Sequence, residues 1–134
     1  MSYYISTMLN GDIADASARV EVALKQEGFG VISRIDIRET LKAKIGVDFR
    51  PYLILGACNP KLAHEALQLE DKVGTMLPCN VVVQQLSPGV IEVAAIDPVA
   101  SMQAIANPAL QQAAQEVRSR LASVIECLGQ TRAT

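Results

Sequence analysis

The chain has 134 residues, half of them hydrophobic and 19% charged, with a formal net charge of -2. That is enough for one domain spanning residues 1–134 with its own core, too apolar for a disordered chain, and too evenly charged to supply the basic stripe that nucleic acid requires. No run approaches the roughly 18 apolar residues of a membrane span, and the first residues lack the basic and apolar regions of a secretory leader, so a cytoplasmic protein with no membrane partner is expected.

Tyr3 to Met8 is a β-prone run that reaches the turn formers Asn10 and Gly11. From Asp12, an N-cap residue, Ile13, Ala16, Val20, Ala23 and Leu24 follow helical spacing, and Gly28 suits the position past the helix end. Gly30 to Ile37 alternates apolar and polar residues after Val31, the pattern of a strand with a wet edge. Thr40 to Gly46 carries Leu41 and Ile45 four residues apart and predicts a short helix closed by glycine.

Tyr52 to Cys58 is apolar on both alternating faces, as in a strand covered twice. Asn59 can cap the next helix, Pro60 fits its first turn, and Leu62, Ala63, Ala66 and Leu67 form its inward stripe; Glu70 to Gly74 breaks the pattern. Cys79 to Leu86 and Val90 to Ile96 predict a hairpin around Ser87, Pro88 and Gly89. Asn107 and Pro108 repeat the helix-start chemistry of Asn59 and Pro60. The stripe Leu110, Ala113, Ala114, Val117, Leu121, Val124, Ile125 and Leu128 then predicts a long final helix stopped by Gly129, with a frayed tail from Gln130 to Thr134.

Three cysteines in a chain of this size favour free thiols over a disulfide framework. Cys58 precedes a helix N-terminus, where unpaired N–H groups favour a thiolate, and Cys79 opens the strand after that helix. The competing reading treats each as a small hydrophobe in a core. His64, the only histidine, lies off the Leu62/Ala66 stripe and completes a Cys/Cys/His set only if the chain near Pro78 folds over it. Asn59 and Asn80, each following a cysteine, are the supporting residues. Cys127, at the margin of the last stripe, reads as structural. The chain has no CxxC, Walker, HExxH or GxSxG pattern, so no residue is assigned a catalytic role. At 4% aromatic content it also lacks stacking platforms for bases.

Gly28-Phe29-Gly30-Val31, Leu55 to Pro60, Leu77 to Val83 and the Asp97-Pro98 step, in this order over nearly the whole chain, resemble the small bacterial and archaeal DUF302 family. The resemblance implies an α+β fold, a twisted and mainly antiparallel sheet packed against helices in a TBP-like two-layer arrangement, often dimeric. It places the family's recurrent cysteines at Cys58 and Cys79 and implies neither a mechanism nor a role for them. The functional expectation is a non-enzymatic thiol site that binds a thiophilic metal or exchanges sulfur, using Cys58, Cys79 and His64. The alternatives are a small-ligand pocket between the sheet and the last helix, or an interaction protein. Apolar excess and two-faced strands predict a homodimer.

Overall fold

The computed structural model describes residues 2–132, with side chains as far as Gly129. Five strands, β1 (Tyr4–Asn10), β2 (Gly30–Asp36), β3 (Tyr52–Cys58), β4 (Cys79–Ser87) and β5 (Val90–Ile96), form an open sheet in the order β1-β5-β4-β3-β2, with every neighbouring pair antiparallel. The helices are α1 (Ile13–Gln26), α2 (Ile37–Ile45), α3 (Pro60–Leu69), α4 (Pro98–Ser101) and α5 (Pro108–Arg132), with a 3-10 turn at Asp71–Met76.

Alternation along the strands sorts side chains to two faces. Leu9, Leu53, Leu55, Val81, Val83, Ile91 and Val93 are buried against Val20 and Leu24 of α1 and Leu121, Val124, Ile125 and Leu128 of α5, which together make the main core. The intervening residues Tyr52, Ile54, Val82, Ala94 and Ile96 are only half-buried. The double cover expected for β3 is therefore a single one, since α1 and α5 lie on one face and α2, which packs mainly beside β2 and β3, buries none of its residues. β2 is the wet edge its alternation predicts.

The capping chemistry operates where the sequence puts it. Asp12 accepts a hydrogen bond from the Asp15 N–H, Asn59 from Leu62, and Asn107 from Ala109 and Leu110. Gly28 follows α1 with a φ of 86°, and Gly89 turns the β4–β5 hairpin with a φ of 80°. Helix α2 starts at Ile37 rather than Thr40, because Asp36 accepts from the Glu39 N–H and ends the strand there.

Gly129 does not stop α5, which continues to Arg132. A β-carbon at Gly129 would lie 3.1 Å from Thr7 Oγ1, so the residue serves a close approach of α5 to β1 and not a helix end. Of the expected frayed tail, residues 130–132 are helical and 133–134 lie outside the described residues.

Candidate functional site

The main core does not extend through the whole molecule. Ala66, Val73, Met102, Leu110 and Ala114 form a second, smaller cluster contributed by α3, the 3-10 turn, the segment after α4 and the first turns of α5. At the seam between the two clusters lies a cavity of about 330 Å³. Ala57, Cys58 and Cys79 bound it from the rim of the sheet, Leu62, Ala63, Ala66 and Leu67 from α3, and Leu110, Ala113, Ala114 and Val117 from α5.

Alanines explain the space. α3 and α5 touch, and where leucines would fill the gap between them the stripes carry Ala63 and Ala66 on one helix and Ala113 and Ala114 on the other. Leu67 belongs to the inward stripe yet is 42% exposed, because the stripe faces a cavity and not solid packing.

Polar contacts hold the walls in place. Asn107 donates from Nδ2 to the Leu69 carbonyl at 3.0 Å, tying the start of α5 to the end of α3. Gln111 donates to the carbonyls of Met102 and Ile105 at 2.8 and 3.1 Å. The buried carboxylate of Asp97 caps α4 through Val99 and Ala100 and accepts from Arg118 Nε at 2.9 Å, which sets Pro98 in the wall.

The lining has no charged residue, and beyond the two thiols its one polar side chain is Asn59, whose Oδ1 is occupied in capping α3. Cys58 is half-buried at the end of β3, and Cys79 is 7% exposed at the start of β4. These strands are neighbours, with Ala57 directly opposite Cys79. Burial first, and the adjacent Cys58 second, push the Cys79 thiol up to about 11, so it is protonated at neutral pH.

The other candidates are elsewhere. His64 is exposed and absent from the cavity wall. Asn80 is exposed on the opposite face of the sheet, in a shallow groove with Tyr52, Val82 and Gln84. Cys127 is exposed on α5. Among the described residues no group of three or more His, Cys, Asp or Glu stands within reach of one metal ion. Two thiols fall short of the four donors of a closed structural zinc site. A pocket between the sheet and the last helix is one of the alternatives the sequence offers, but the α3 wall is not, because periodicity shows which residues point inward and not whether facing stripes meet. The signal that was available is the pairing of small residues in two stripes.

The model of the family described as a domain of unknown function, DUF302, matches residues 5–128. The crystal structure of an uncharacterized conserved DUF302 protein from Bacillus stearothermophilus superposes with a TM-score of 0.87 at 32% sequence identity, covering 94% of this chain and 98% of that one. Comparison with curated proteins finds no match. No described helix is long and apolar enough to cross a membrane. With a family match over almost its whole length and the same fold as a solved protein of that family at 32% identity, the chain belongs to the DUF302 family.

Proposed function

We propose that the chain is a binding module for a small, neutral, apolar molecule held in the cavity between the sheet rim, α3 and α5. The observation that carries this reading is a cavity of about 330 Å³ without one charged lining residue. A volume of this size is at the lower end of small-molecule sites, and apolar walls bind by removing apolar surface from water. The lining has no cation to meet a carboxylate or phosphate, which sets the ligand class as uncharged. A neutral fluorescent probe, N-phenyl-1-naphthylamine, should bind with enhanced emission and raise the melting temperature of the protein. Ala113→Phe, which fills the half-exposed α5 wall, should weaken that binding about tenfold or more with little change in denaturant midpoint. Equal probe affinity in both proteins would sink the proposal.

A thiol role within the same cavity is a second reading, supported by the two cysteines that share its wall. It takes the form of thiol chemistry more readily than of metal binding, given the short donor set described above.

We also propose a homodimer formed through the uncovered face of the sheet. Tyr4, Ile35, Ile54, Val82, Ala94 and Ile96 give that face an apolar surface. Its central polar group is a chain of contacts, in which Arg50 donates to Gln84 at 2.8 Å and Gln84 to Glu92 at 2.9 Å. Four strands of seven residues and one of nine give a face of about 24 by 23 Å, roughly 550 Å² in projection, which is the larger part of the roughly 800 Å² per partner that a stable interface buries. A two-fold pairing of identical faces leaves no open end. Light scattering should therefore give twice 14.4 kDa, with Ile54→Lys returning the protein to the single-chain mass. A 14.4 kDa species for the unsubstituted chain at micromolar concentration would count against the dimer.

A further inference from the structure

The two cysteines of the cavity wall differ in a way that suits a sequence of two steps. Cys58 is half-buried and open to a reagent, whereas Cys79 is buried behind it. Pairing of Ala57 with Cys79 puts Cys58 one residue along the neighbouring strand, a Cα separation of about 6 Å, inside the range a disulfide spans. Adjacent strand positions ordinarily face opposite ways. Here β3 ends at Cys58 and β4 begins at Cys79, and at this rim both residues line one cavity.

We infer that Cys58 and Cys79 form a redox couple, oxidised by low-molecular-weight disulfides, whose disulfide closes the cavity. This rests on the binding reading above for its consequence but not for its chemistry. The Cys58 thiolate, its proton released to solvent, attacks one sulfur of the reagent disulfide; an S–S bond forms to Cys58 and the other half leaves as a thiolate. Cys79 then loses its proton and attacks the Cys58 sulfur, expelling the second half. The protein gives up two electrons and two protons, and the reagent is reduced to two thiols. Cys79 is the resolving group because its burial keeps it from bulky reagents but not from a sulfur already attached to Cys58. Burial also holds its proton, so the second step is the slower one.

The effect on the cavity follows from what each cysteine is joined to. Cys58 runs into Asn59, the cap of α3, and Cys79 follows Leu77 and Pro78, which line the same cavity. A bond between them draws these two segments together.

The test uses the full chain as Cys127→Ser, so that two thiols remain, incubated with oxidised glutathione. The expected product has lost the mass of two hydrogens, gives a Cys58–Cys79 cross-linked peptide, and binds N-phenyl-1-naphthylamine about tenfold more weakly than the reduced protein, with recovery on reduction. Cys58→Ser should take up no glutathione, while Cys79→Ala should stop at the glutathione adduct. A stable adduct on Cys58 in the protein with both thiols, or no reaction, overturns the redox couple while leaving probe binding by the reduced protein as a separate result. A disulfide that leaves probe affinity unchanged overturns the closure.

Discussion

Leu121→Ala should cost the fold about 2 to 5 kcal/mol, a large share of the roughly 5 to 15 kcal/mol that holds a domain of this kind together. Leu121 is fully buried on α5, in the cluster that joins this helix to α1 and to the inner face of the sheet. Truncation removes apolar contacts from three elements at once and leaves a void that a sheet and two helices cannot easily collapse to fill. A chemical denaturation curve should show the midpoint displaced strongly to lower denaturant with little change of slope. An unchanged midpoint would mean that α5 is not the brace of the core.

The second large effect is expected at Gly56. This residue is in β3, opposite Ser33 on one side and Asn80 on the other. A β-carbon there would overlap Ser33 Oγ and lie 2.8 Å from Pro78 Cγ. The serine hydroxyl can rotate away, but the proline ring cannot, so β3 has to shift against the segment that leads into β4. Gly56→Val should therefore destabilise the protein by about 1 to 3 kcal/mol or more and, two residues from Cys58, disturb the cavity as well. Gly30→Ala is the control, because nothing stands within 4 Å of a β-carbon built there. If the two substitutions shifted the thermal midpoint equally, crowding at Gly56 would not be the cause.

Much of this architecture was legible in the sequence. The hairpin announced itself through Ser87, Pro88 and Gly89, and α1, α3 and α5 through Asp12, Asn59 and Asn107 placed ahead of apolar stripes. These are local signals, carried by residues within a turn or two of one another. Legibility failed where the deciding contact was distant. Gly129 looked like a helix end because the strand it packs against, β1, is at the other end of the chain. α4 is a single turn held by the Asp97 cap and by Arg118, too short to leave any periodicity. His64 and Cys58 are near in sequence, but the histidine is on an exposed part of α3 and is not in the cavity wall. Cys79 owes its protonated state to burial by residues from other elements, which spacing along the chain does not reveal.

Two clusters of unequal size sharing one helix give the molecule two different mechanical parts. α5 contributes Leu121 to Leu128 to the larger cluster and Leu110 and Ala114 to the smaller, so its far half packs on the sheet while its near half is held by Leu110 among Val73, Ala66 and Met102, by the Arg118–Asp97 pair and by the side-chain amides of Asn107 and Gln111. Local opening requires little where few apolar groups are buried, and far less than unfolding the sheet. The smaller cluster should therefore exchange its amide hydrogens faster than the strands do, a difference that hydrogen exchange measured along the chain would show.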